Sequence, residues 1–166
     1  MLSHPSTEQI LLDCRQELLD TILPAITAEP ARIAVQMMEN VLRNCAARAA
    51  HEIAWMRDEE AAMVAYAERV VESGIESGAV SGVASGAGSD PVTVALAAYR
   101  ERRSDSLHLT DTAATYSLAG HCLSAALEAA MAAGDDALHL DGRAILEARL
   151  AHENEIMGEW AFVGRA

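Results

Sequence analysis

The stretch "ARIAVQMMENVLRNCAARAAHEIAWM", residues 31 to 56, holds no glycine and no proline. Alanine and straight-chain residues dominate it, and these cost least in a helix. At about 100° per residue, Ala34, Met37, Met38, Val41 and Cys45 fall on one face. The spacing predicts one long amphipathic helix whose apolar stripe turns toward a core. Pro30, just ahead of it, suits the first turn of a helix. "RDEEAAMVAYAERVV", residues 57 to 71, continues the helix, with a kink near Asp58 as the alternative.

Upstream, "SHPSTEQILLDCRQELLDTILPAI" opens on a capping box, with Ser6 as N-cap and Gln9 reaching back. Leu11, Cys14, Leu18, Ile22 and Ile26 make a second helical stripe, which Pro24 kinks or ends. Downstream, Ser-Gly recurs at 73–74, 77–78, 81–82 and 85–86, and five of the ten glycines lie between 74 and 88. A phosphate-cradling loop would want a preceding strand and a lysine, so this reads as a flexible insertion at about 73–90. Asp90 and Pro91 start the next helix. Another is capped at Thr110 or Asp111 and closed by Gly134, and the last runs from Asp141. His108 and His139 then fall in the turns that lead into helices. The expected fold is all-α: one domain, residues 1–166, a mostly antiparallel bundle of about five helices with the Gly/Ser-rich loop at about 74–89 outside the core.

Composition narrows the function. The formal net charge is -13, which disfavours nucleic acid and anionic membranes. All 12 basic residues are Arg, so lysine-dependent chemistry is missing. Cys14, Cys45 and Cys122 are widely spaced, and the simplest expectation is small buried thiols in a reducing cytoplasm. The start, "MLSHPSTEQ", is polar from its third residue and does not read as a signal peptide. No apolar run approaches the ~18 residues of a membrane helix.

Residues 47–52, "ARAAHE", are echoed at 148–153, "ARLAHE". Each copy sets an Arg and a Glu four apart on an apolar stripe: Arg48 with Glu52, and Arg149 with Glu153. Ile145, Leu146, Ile156 and Trp160 share the second stripe. Three readings stay open. The pairs are buried structural ion pairs, with the second and last helices side by side. Or His51, Glu52, His152 and Glu153 form an inward metal site, although adjacent His and Glu point about 100° apart. Or the charges line an interface with another chain. No nucleophile–base pair stands out: His121 and Cys122 are helix neighbours and do not face each other. No catalytic residue and no cofactor are expected from the residues.

The segments "HPSTEQILLDCRQELLDTILPAI" and "ARIAVQMMENVLR", with "ARAAHE" after them, resemble DUF6285, a bacterial family of small helical proteins. The resemblance covers residues 4 to about 60, with an echo at 144–157. Its carriers are His4, Pro5, Glu8, Leu11, Leu12, Leu23, Pro24 and Ile26, then Arg32, Ile33 and Ala34. Gln36 stands where the family has Asn, and Arg48 or Glu52 stands for a later Arg-Glu pair. Leu150, Ala151 and Asn154 match the closing motif, with Glu155 where Pro is usual. The resemblance implies a non-catalytic accessory subunit. Its partner would be a kinase built like aminoglycoside phosphotransferases that acts on hydroxyacyl-CoA thioesters. Arg32, Gln36, Arg48, Glu52, Arg149, Glu153 and Asn154 are then the interface candidates. A homodimeric scaffold and a stand-alone metal protein or enzyme are the alternatives.

Overall fold

A computed structural model of the protein describes residues 4–75 and 90–157. It is all-α, with no strand among the described residues. α1 spans Thr7–Glu17, a π-helical turn follows at Leu18–Ile22, and a short α2 covers Leu23–Ala25. Then come α3 (Glu29–Glu72), α4 (Pro91–Arg102), α5 (Leu109–Ala133) and α6 (Asp136–Met157). The stretch 76–89, where the Gly/Ser-rich loop was expected, lies outside the described residues, as does Trp160. None of the described helices is long and apolar enough to cross a membrane.

The helix ends follow local chemistry. Ser6 caps α1 by accepting from the Gln9 amide at 3.2 Å. Gln9 completes no capping box. Its side chain donates to Asp13 at 2.8 Å, a partner one turn onward. Pro24 lacks the N–H that would bond four residues back, and its ring crowds that carbonyl. The wide π turn just before it, ahead of α2, accommodates the misfit. Ile22, at the end of that turn, is exposed. α3 runs unbroken through Asp58 for 44 residues. Asp90 caps α4 by accepting from the Thr93 amide and hydroxyl, both at 3.0 Å, with Pro91 in the first turn. α5 starts before Thr110, with His108 as an extended N-cap, and ends at left-handed Gly134, φ 66°. α6 starts at Asp136, earlier than expected, because Asp135 takes the Leu138 amide at 3.0 Å. His139 is therefore helical.

The contacts divide the chain into two compact units. One comprises residues 53–150 and the other residues 1–52 with 151–166. In the unit of residues 53–150, Met63, Tyr66, Ala67 and Val70 of α3 meet Val92, Leu96 and Tyr99 of α4 and Ala119, Cys122, Leu123 and Ala126 of α5. Small residues on α5 let the helices approach closely. α6 packs against them through Leu138 and Ile145, and Gly142 lies against Tyr66 and Leu127.

The other unit is thinly packed. Its buried apolar residues are Val35, Ala46 and Ile156 among those described. Arg15 of α1 pairs with Glu39, and Arg43 donates to the Met157 carbonyl at 3.0 Å, closing the end of α6. Here the structure reverses an expectation. Met37, Met38 and Val41 are 65%, 55% and 59% exposed, and Ala34 and Cys45 are exposed with them. The inward face of α3 carries Val35, Gln36, Glu39, Leu42, Arg43 and Ala46 instead. Periodicity groups residues on a face, but it does not say which face turns inward. The polar side offers Glu39 and Arg43, which have partners there. Cys14 is exposed as well, leaving Cys122 as the buried thiol.

Candidate functional site

The densest polar cluster lies within residues 53–150, and it begins with "RDEE", residues 57 to 60 of α3. Glu60 stands three residues before core Met63, so helical geometry carries it onto the buried stripe. It is 5% exposed. A buried carboxylate needs partners. Tyr99 of α4 donates to it at 2.6 Å and Arg57 at 2.9 Å. The other guanidinium nitrogen of Arg57 donates to the carbonyls of Ser104 at 2.9 Å and Ser106 at 2.6 Å. The connection between α4 and α5 is thereby pinned to α3. Thr115 tightens it, accepting from the Ser104 amide at 3.0 Å.

Glu59 anchors a parallel set. Tyr116 of α5 donates a short hydrogen bond to it. Arg149 of α6 lies 3.3 Å from the same carboxylate, donates to the Tyr116 hydroxyl at 2.9 Å and stacks over its ring at 5.4 Å. Together the two sets form a clamp that ties α3, α4, α5 and α6. Burial, then the bond to Glu60, pushes the Tyr99 phenol up to about 12. Burial, then the bond to Glu59, does the same for Tyr116. Both phenols therefore stay neutral donors at ordinary pH. A carboxylate, a phenol and a guanidinium could in principle move protons, but here each is held by the others.

No family model, curated protein or solved structure matches this chain.

The expected site residues divide. Arg48 and Glu52 do pair with each other at 3.2 Å, but Arg48 is half exposed and the pair is wet. Arg149 does not take Glu153. It takes Glu59, whose half-buried carboxylate offers a drier partner than an exposed one four residues on. Glu153 and Asn154 are exposed. Arg32 donates to the Ile26 carbonyl at 3.3 Å, bracing the turn into α3, and Gln36 is half-buried on the inward face. α3 and α6 meet through other pairings than the two repeated ones. Within residues 53–150, Asp141 faces Arg69 at 3.3 Å and Arg149 faces Glu59.

His51 is exposed and His152 half-buried. Among the described residues no group of three or more His, Cys, Asp or Glu stands together as a metal site. A cleft of about 540 Å³ between the start of α1 and residues 49–51 is lined by His4, Glu8 and His51. His121 points outward while Cys122 is buried, whose thiol burial pushes up.

The clamp went unseen at the level of sequence. Its signal was there: two adjacent acids entering the Met63–Val70 stripe, and the chain's three tyrosines set in alanine-rich helices.

Proposed function

We propose that this protein is a non-catalytic accessory subunit. It binds and supports a phosphotransferase-like kinase that acts on hydroxyacyl-CoA thioesters, in the cytoplasm. The partner's identity comes from the resemblance to DUF6285. One structural observation supports the role. The polar side chains of the clamp hold one another: Arg57, Glu59, Glu60, Tyr99, Tyr116 and Arg149. Large apolar side chains, by contrast, stand outside: Met37, Leu107, Met131, Leu140 and Leu150. A rigid interior with apolar groups at the surface suits a chain that works by contact. Methionines suit it further, because they adapt to varied partners.

The test is co-expression with a phosphotransferase-like kinase of the same organism. We expect the two to co-purify, and the kinase to lose solubility or turnover when expressed alone. A kinase that is fully active alone and never co-purifies refutes the reading.

A further inference from the structure

Along α3 the residues Ala34, Met38, Val41, Cys45, Arg48 and Glu52 recur at alternating spacings of four and three. That alternation is the 3.5-residue repeat of helices packed side by side in a coiled coil. Met38 and Val41 are more than half exposed, and Ala34 and Cys45 are exposed beside them. The seam has the pattern of a helix pair.

Three features select another copy of this chain as the second helix. First, the seam is palindromic in size about the point between Met38 and Val41. Reading outward, large residues occupy the centre and small ones, Ala34 and Cys45, the flanks. A two-fold axis at that point sets Met38 against Val41 of the second copy, and Ala34 against its Cys45. A self-complementary patch of this kind is what a symmetric dimer requires. Second, the charges agree. The chain carries a net charge of -13, yet no acidic residue interrupts the seam from Ala34 to Cys45. Arg48 continues the seam beyond the apolar stretch. Parallel pairing stacks it on Arg48 of the other copy, whereas antiparallel pairing sets it against Ala31. Third, this unit buries only Val35, Ala46 and Ile156 as apolar core among its described residues. Pairing two seams supplies the core that so small a unit lacks.

We propose that two copies associate antiparallel along residues 34–45 of α3. This goes beyond the accessory role and leaves a kinase to dock elsewhere on the surface.

The experiment uses the full chain. Mass in solution is expected at twice the 17.6 kDa of one chain. Met38→Glu alters an exposed position, so helix content by circular dichroism stays unchanged. It sets a charge against Val41 of the second copy and is expected to weaken the dimer at least about a hundredfold. Leu150→Glu, which is off the seam, should not. Register is read by oxidation. In the antiparallel pair, Cys45 sits eleven residues from its counterpart along the seam. That is about 16 Å, well beyond the ~7 Å between Cα atoms that a disulfide allows. Cys14→Ser alone should therefore not cross-link. Cys14→Ser with Ala34→Cys should give a covalent dimer, because the introduced thiol meets Cys45.

A single-chain mass at all concentrations overturns the proposal, as does a dimer indifferent to Met38→Glu. Cross-linking through Cys45 alone overturns the antiparallel register. A monomer whose kinase complex is lost on Met38→Glu gives the seam to another kind of partner, and the proposal falls.

Discussion

Glu60→Ala removes the centre of one half of the clamp. The side chain is 7% exposed, and it accepts from Arg57 at 2.9 Å and Tyr99 at 2.6 Å. The variant leaves a buried phenol without an acceptor and a guanidinium without its counter-ion. Removing one partner of a buried ion pair costs about 3–5 kcal/mol. The orphaned hydroxyl belongs within that figure rather than on top of it. Arg57 keeps the Ser104 and Ser106 carbonyls and touches solvent, which places the cost at the lower end, about 3 kcal/mol. A chain of this length shifts by about 2–4 °C per kcal/mol, so the melting temperature should fall by about 6–12 °C. Thermal unfolding followed by circular dichroism at neutral pH reads it. Glu60→Gln keeps an acceptor for Tyr99 and loses only the charge, so it should fall between the wild type and Glu60→Ala. The comparison is Glu52→Ala. Its pair with Arg48 is half in water and is worth about 0.3–0.5 kcal/mol, a shift under about 2 °C. Equal shifts for Glu60→Ala and Glu52→Ala would show that the clamp does not hold the helices, and would sink the reasoning.

Tyr66→Phe should leave stability unchanged or raise it, since the buried Tyr66 hydroxyl has no partner; a loss above about 1 kcal/mol in urea would contradict this. Gly142→Ala should destabilise by about 1–2 kcal/mol despite alanine's better helix propensity. A Cβ there meets Leu127 and sits 2.8 Å from the Tyr66 hydroxyl, so pairing it with Tyr66→Phe should recover part of the loss. Tyr99 and Tyr116 have their phenol values raised from 10.0 to about 12, and Tyr66 is raised too. Absorbance at 295 nm should therefore show Tyr99 and Tyr116 ionising only toward pH 12, with Tyr66 above its ordinary value. A raised value favours the neutral phenol in the fold, so this contribution is whole below pH 10 and is lost as pH climbs toward 12. The urea midpoint should fall across that window, and Tyr99→Phe with Tyr116→Phe should flatten the fall.

The all-α fold was legible because its evidence is local. Alanine content, the Ser6 and Asp90 caps and the stop at Gly134 each act within a turn or two. Arg48 with Glu52 was legible for the same reason. What failed depended on the rest of the chain. The stripe of α3 has the right period, yet its direction was settled by Glu39 and Arg43 finding partners on the opposite face. Arg149 was matched to its neighbour Glu153, but its partner is Glu59, far away in sequence on another helix. The start of α6 was placed at Asp141, with His139 in the turn before it, but Asp135 takes the Leu138 amide and starts the helix upstream. Gly142 lies inside it, a point of close approach to Tyr66.

The grip of Arg57 on the Ser104 and Ser106 carbonyls bears on how the chain is cut. With no lysine in the sequence, trypsin can read only arginines, and exposed Arg102 and Arg103 stand at the mouth of the α4–α5 connection. A protease must draw several residues on both sides of the bond into its cleft as an extended strand. Here the carbonyls just beyond the bond are already held by a guanidinium rooted in another helix. Cleavage after Arg103 therefore waits for that guanidinium to let go, and its rate becomes a clock for the opening of the clamp.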